Sequence, residues 1–545
     1  MPNGKRRHES YLDDQGRAST GPFCHAPSGR CTFPITMTTS WTRSTLTRFA
    51  GTDQPLRVVV AGVLIYLVGL LCYFPDAITL DDESQYLEAA YAFSKGSLCL
   101  DEIDPLSGEV RCRQASSYLP GTSAVLAPFI ALFGWRGAYL VPALALAAAT
   151  LCTALWLREA GRSPLFALMV LGYLPSLVLG RVAQSDAPST ALVALGLWLF
   201  WAGGLDRRAR WAASGFVAGL SLSLRETNVL LFAPLYLGAL IRRERGVGAL
   251  IAGGLAGSLL RPLGTWIVFG DPLYLYPAGG AEGPPFGLSN LPGNLLPYAV
   301  ALLVLVPGGL VGGLLYRGER RPEVVATVSL FFSLFLLFGY NGWTSGPRYF
   351  APLTPLLAFA AAEALPRLWA GIRARFGAGK SATLERIAFF GIWLWVAGVL
   401  ILAFAVHPVV DRLTDPFARV RHAIYEHSAA GSVVVMRLRD KRLVHPIFGE
   451  RGRFYFEYLT PEIFDRLLAK YGTITVVLRD PRVGWYVRRQ AREILRRKAL
   501  ENPKVLSTLT GRGEFELLFD DSGVIDDRLR IWRVSMPALD NRKRG

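Results

Sequence analysis

Three acids in a row, Asp81, Asp82 and Glu83, stand seven residues after the first long apolar run of the chain ends at Phe74. The run before them, Val58 to Phe74, carries no charge, so the acids open a loop that reads as extracytoplasmic, where carboxylates can do chemistry at a membrane surface. Polar residues recur at the outer ends of four other runs. They are Arg181 with Gln184 and Asp186, then Arg225-Glu226, then Arg261, then the stretch Tyr340 to Tyr349 that holds Arg348. Taken singly each has a structural reading: Arg225 and Arg348 can snorkel to head groups, Asp186 can cap the helix before Ala187-Pro188, and Arg261 can pair with Asp271 or Glu363. Together on one side they point to a shared outer-face cavity, because charge in or beside a span is costly and tends to serve function.

The elements that must position these residues are membrane spans. The chain has 545 residues, 51% of them hydrophobic, in segments that recur along most of its length. A soluble core could not absorb them, and the sequence predicts a polytopic α-helical membrane protein. Its net charge of +17 lies in short basic tracts between apolar runs, such as Arg207, Arg208, Arg210 and Arg317, Arg320, Arg321. That is the positive-inside pattern, and it displaces a nucleic-acid partner. Eleven spans are read, near 58–74, 137–157, 164–180, 187–205, 211–224, 227–241, 246–269, 294–316, 324–340, 350–366 and 387–406. With a cytoplasmic N-terminus, the loops holding Asp82, Asp186, Arg225 and Arg348 are outside, and an odd count puts the C-terminal region outside too. The fifth and sixth spans, short and flanking Arg225-Glu226, are read as two spans, since one bent helix would put the downstream arginine tracts outside.

Residues 1–55 read as a disordered cytoplasmic tail, in which Cys24-His25 and Cys31 lack the second pair that a zinc site needs. Residues 56–410 read as the membrane domain, with 75–136 as an external loop whose segment after Glu83 forms an amphipathic helix on the membrane, Tyr86, Ala89, Ala90 and Phe93 sharing a face. Residues 411–545 read as a soluble extracytoplasmic α/β domain, with strands at 432–438, 473–479 and 529–534 and helical stretches at 417–428, 461–471 and 487–500. It has no Gly-rich nucleotide fingerprint. His407, His422, His427 and His445 read as surface or capping residues, and Cys72 and Cys152 as inert packing. Cys99 and Cys112 bracket a segment of the external loop, either as two free thiols or as a bridge worth about 3 kcal/mol in loop entropy.

The segment DDESQYLEAA, followed by KGSL and then SYLPGTSAVLAPFIALFG, resembles the first external loop of the GT-C glycosyltransferases. It resembles in particular the protein O-mannosyltransferases of glycosyltransferase family 39 and the lipid A aminoarabinose transferases. The resemblance continues through Arg181-x4-Asp186-x-Pro188, Gly219-Leu220 with Arg225, and Gly346-Pro347-Arg348-Tyr349 with Pro352 and Pro355, in order over roughly residues 58–370. Many members have Lys where this chain has Arg225.

The resemblance implies an enzyme that takes a sugar from a polyprenyl-phosphate donor and gives it, with inversion, to an acceptor hydroxyl on a glycan, lipid or protein. It implies Asp82 as the base that takes the acceptor proton, with Glu83 beside it, and Asp186 as a residue that orients the acceptor or holds a divalent metal; related enzymes differ in needing one. Carboxylates suit the first role because partial burial raises their pKa towards neutrality. Guanidinium groups suit the charge that grows on the leaving phosphate, and Arg348, Arg225 and Arg261 are the candidates in that order, with Tyr349 beside the first. A transporter or flippase of lipid-linked sugars is the alternative. It would favour charges along a path to the cytoplasmic side and internal repeats, neither of which is evident.

Overall fold

Uncharged runs must satisfy their own backbone in a bilayer, and they do so as helices. The computed structural model describes residues 54–536 apart from 105, 108, 202–205, 275–285, 305, 339–345, 437, 450, 456–457, 482–511 and 525–526. The tail, the 487–500 stretch and most of Tyr340 to Tyr349 therefore lie outside the described residues. Among the described residues, four helices are long and apolar enough to cross a membrane: Gln54–Cys72, Trp135–Glu159, Val247–Phe269 and Arg386–His427. Shorter apolar helices include Pro120–Phe133, Glu226–Ile241 and Leu288–Val304.

Several of the eleven expected spans take other forms. The third is broken at Tyr173, where Pro175 begins a new helix, Leu174–Leu179, after Leu168–Gly172. The eighth divides into Leu291–Val304 and Gly309–Leu314. The tenth and eleventh belong to one helical run, Thr354–His427, with Pro366, Pro408 and Pro416 inside it. A straight helix would put Phe359 and Val399 about 60 Å apart. Phe359 instead stacks on Trp156 while Val399 packs on Gly172, so the run turns back on itself between them.

The fifth and sixth spans are two helices, Arg207–Ser221 and Val229–Ile241. Ser214 and Tyr236, each eleven residues from Arg225, are hydrogen-bonded to one another, which is the register of an antiparallel pair. Glycines let the Arg207–Ser221 helix lie directly on Val247–Ser258: a Cβ on Gly215 would come within 2.1 Å of the Leu250 carbonyl, and one on Gly219 within 2.4 Å of the Ser258 amide.

An outer layer covers one end of these helices. It contains the Asp81–Ser94 helix, the hairpin of β1 (Cys99–Ile103) and β2 (Val110–Gln114), and the Pro120–Phe133 helix. A disulfide joins Cys99 to Cys112 across the hairpin, and Cys72 and Cys152 are free thiols. The Asp81–Ser94 helix is not buried along one apolar face alone. It buries Tyr86, Leu87, Ala89, Ala90 and Ala92, and also Glu83, Ser84 and Glu88, because protein packs on several sides of it.

Beyond the long helix lies a five-stranded sheet in the order β4-β3-β5-β7-β6, from β3 (Val433–Met436), β4 (Gly452–Tyr455), β5 (Thr473–Pro481), β6 (Glu514–Val524) and β7 (Asp527–Ser535). β3 runs parallel to β4 and β5, whereas β7 is antiparallel to β5 and β6. Val434 and Met436 pack with Val420 and Ile424 of the long helix, while Val433 and Val435 pack with Phe464 and Leu467 of the Pro461–Tyr471 helix. Burial on both faces accounts for the continuous apolar run Val433–Met436 in the sequence.

Candidate active site

Asp82 lies in the first turn of the Asp81–Ser94 helix, where the dipole of the helix favours carboxylates. Its carboxylate is held at two points. The Tyr118 hydroxyl donates to Oδ1 at 2.7 Å, and Arg348 donates to Oδ2 at 2.8 Å. Tyr118 is fixed in turn by stacking on Tyr86, one turn further along the same helix, with ring centroids 4.8 Å apart. Asp82 keeps about a third of its side-chain surface exposed, at 34%, so solute can reach it.

Arg348 also donates to Gln184 Oε1 at 3.3 Å and to the Tyr349 hydroxyl at 3.3 Å. The Tyr349 ring has two guanidinium groups near it, that of Arg348 and that of Arg225, each 5.1 Å from its centroid. Arg225 pairs with Asp186, the first residue of the Asp186–Trp201 helix. Asp82, Arg348, Tyr349, Arg225 and Asp186 thus form one cluster, drawn from four separate stretches of the chain. Each arginine faces a carboxylate, which offsets the cost of burying its charge.

Two expected site residues stand apart from it. Glu83 is fully buried and turned away from Asp82. Its Oε2 accepts from the Thr79 amide at 2.8 Å and the Leu80 amide at 3.3 Å, and its Oε1 from the Ala183 amide at 3.3 Å. Burial pushes its carboxyl up, and the amides oppose that shift. Glu83 therefore closes the start of its helix and ties it to the Arg181–Asp186 loop. Arg261 pairs with Glu226 rather than with Asp271 or Glu363, and donates to the Tyr274 carbonyl at 3.1 Å. Glu363 is held by Arg162 and Arg367.

Arg261 marks the wall of a cavity of about 710 Å³. The lining is almost wholly apolar and includes Phe93, Val125, Leu192, Leu220 and Ile267. Pro120, Pro188 and Leu224 also line it, each within two residues in the chain of Tyr118, Asp186 or Arg225. Neither Asp186 nor Asp82 offers a metal the donor set it needs. Both carboxylates face arginines, and among the described residues no three His, Cys, Asp or Glu side chains converge.

The sequence context of Tyr118 does not single it out, since an ordinary Tyr in a loop carries no signal of cost; that of Gln184 groups it with Arg181 and Asp186 at the outer end of a run but gives it no role of its own. Of the histidines read as surface or capping residues, His422 is exposed and His445 caps the Pro446–Phe448 turn, but His445 is fully buried as it does so, and so is His407. His407 Nδ1 is 2.6 Å from Arg181, and His445 lies against the Asp81–Ser94 helix.

No family model matches the chain, and no curated protein matches it significantly in sequence. The fold does match solved structures, and it is a GT-C fold. The likeness is to ArnT, the lipid A aminoarabinose transferase, from Cupriavidus metallidurans. For the apo state the TM-score is 0.60 with 14% identity, covering 89% of this chain and 98% of that one. For the form bound to undecaprenyl phosphate it is 0.54 with 15% identity, covering 88% and 97%. At such identity it is the fold that is shared: a membrane-embedded GT-C architecture along most of both chains.

Proposed function

We propose that this protein is a membrane glycosyltransferase that moves a sugar from a polyprenyl-phosphate donor to an acceptor hydroxyl at the outer face of the membrane, with inversion. The observation that carries the reading is the juxtaposition of Asp82, Arg348, Tyr349, Arg225 and Asp186 beside a large apolar cavity. A lipid phosphate needs both parts, an apolar channel for the chain and guanidinium groups for the head. The ArnT structure with undecaprenyl phosphate shows that this fold can bind such a lipid.

In the proposed step the acceptor oxygen attacks the anomeric carbon, its proton passes to Asp82, and the bond from that carbon to the phosphate oxygen breaks. The bonding pair leaves with polyprenyl phosphate. As the donor enters, its phosphate exchanges with Asp82 as the partner of Arg348, while the Tyr118 hydroxyl continues to hold the carboxylate. Arg348 and Arg225, both within 5.1 Å of the Tyr349 ring, then face the charge that grows on the phosphate. Asp186 keeps Arg225 in place, and Arg261 stands at the cavity wall to meet the lipid head on its way in.

The N-terminus is placed in the cytoplasm and the region after Asp411 outside. The test is transfer of sugar from a synthetic polyprenyl-phosphate donor by purified protein in lipid. The reading requires transfer that depends on Asp82. Movement of intact lipid-linked sugar across vesicles, with no transfer, would favour the transporter instead.

A further inference from the structure

The helix that presents the base is gripped from behind by the C-terminal region. On the Asp81–Ser94 helix, Ser84 and Glu88 lie about 200° and 240° around the axis from Asp82, on the opposite face. Both meet residues from beyond the long helix. Arg453, on β4, donates to Glu88 Oε1 at 2.9 Å, and Arg113, on β2, donates to Glu88 Oε2 at 2.8 Å. All of the Glu88 and Arg453 side chains but about a twentieth is buried. His445 sits beside them, fully buried, with Nε2 donating to the Ser84 carbonyl at 3.0 Å and Nδ1 accepting from the Ile447 amide at 3.2 Å. That pair of bonds defines a neutral imidazole protonated at Nε2.

The grip extends ahead of the helix. Arg442 donates to the Thr79 carbonyl, and Arg421 donates to the Asp76 carbonyl at 2.6 Å and to Asp76 Oδ1 at 3.1 Å. Four side chains from residues 421–453 thus hold positions 76, 79, 84 and 88, on both sides of Asp82 in the chain. The opposite face of the helix does the chemistry, through Asp82, Gln85 bonded to Ser117, and Tyr86 stacked on Tyr118.

The geometry points to Arg453, with His445 and Glu88, as positioning residues for sugar transfer: the C-terminal region fixes the angle at which the Asp81–Ser94 helix offers Asp82 to the acceptor. Arg453 and His445 meet the helix on the face away from Asp82, where Glu88 lies, so the three act through the helix. A base must lie within hydrogen-bond reach of its proton, and a small displacement is enough to slow the step. The inference rests on the glycosyltransferase reading for its kinetic consequence but not for the mechanical coupling.

The test uses the full chain in lipid, with Arg453→Ala, Arg453→Lys and Glu88→Gln. Arg453→Ala is expected to lower kcat roughly tenfold with affinity for polyprenyl phosphate unchanged, and Arg453→Lys to recover much of it. Arg453→Ala combined with Glu88→Gln should be no slower than the worse single variant, because both break one contact. Amide exchange across residues 81–94 should quicken in Arg453→Ala. An unchanged kcat, or a loss of donor affinity in parallel with kcat, would overturn the positioning role. If the wild type transfers no sugar, the functional reading fails, and exchange alone decides the coupling: faster exchange upholds it and unchanged exchange overturns it.

Discussion

At the scale of single residues, the account assigns unequal work to side chains that look alike in sequence. Arg348 touches Asp82, Gln184 and Tyr349, whereas Arg261 touches Glu226 and a backbone carbonyl. Removing the contact at a developing anion costs on the order of 3 kcal/mol, so Arg348→Ala should slow transfer about a hundredfold, and Arg348→Lys should slow it less because it keeps the charge but loses the planar fork. Arg261→Ala should raise the donor concentration needed more than it lowers turnover. Steady-state kinetics with varied lipid donor check both. Tyr118→Phe removes one of two bonds that orient Asp82 and should cost roughly tenfold in kcat, with the fold intact. Asp82 and Arg348 were legible in the sequence because charge beside a span announces its cost. Tyr118 was not, since its role depends on the stacking with Tyr86 that only the folded loop creates.

At the scale of elements, the junction between the Asp81–Ser94 helix and the C-terminal sheet should depend on pH. Burial works against the charge on Glu88, but Arg453 and Arg113 hold its carboxyl down at about 2. Burial lowers His445 from 6.5 to about 4. Both folded values are depressed, so the unfolded chain binds protons first and each contribution is lost as pH falls. For His445 the loss runs from about 6.5 to 4, and for Glu88 from about 4.5 to 2. Melting temperature should therefore fall below pH 6.5, and the part due to the imidazole should be absent from His445→Gln. Close helix packing yields a second expectation. Gly215→Val would drive a side chain into the Leu250 backbone, so the variant should fail to insert as a stable protein in a thermal-shift assay, whereas Gly248→Ala, with open space around it, should not. The antiparallel fifth and sixth spans were legible from the basic tracts that flank them. The break at Tyr173 was not, because helical propensity carries through a proline that neighbouring helices can accommodate.

At the scale of the whole molecule, the outer layer, the charged cluster and the C-terminal sheet belong to one face, and the basic tracts belong to the other. A cysteine placed at Glu109 should react in intact cells with a thiol reagent that does not cross membranes, and one at Arg245 should not, in a background lacking the four cysteines outside the bridge. The class of fold was legible from the apolar runs and the order of short motifs, and it is the part that the likeness to ArnT supports. The clamp from residues 421–453 was not legible. Its partners lie more than three hundred residues apart in the chain, and Glu88 and Arg453 look like ordinary surface charges until the fold buries them together.

The central claim is that Asp82 takes the acceptor proton. Asn has the same shape and cannot accept it, so Asp82→Asn in purified protein, given saturating polyprenyl-phosphate sugar, measures the claim directly. Turnover should fall about a thousandfold with binding of the lipid phosphate retained. Turnover near that of the wild type would contradict it.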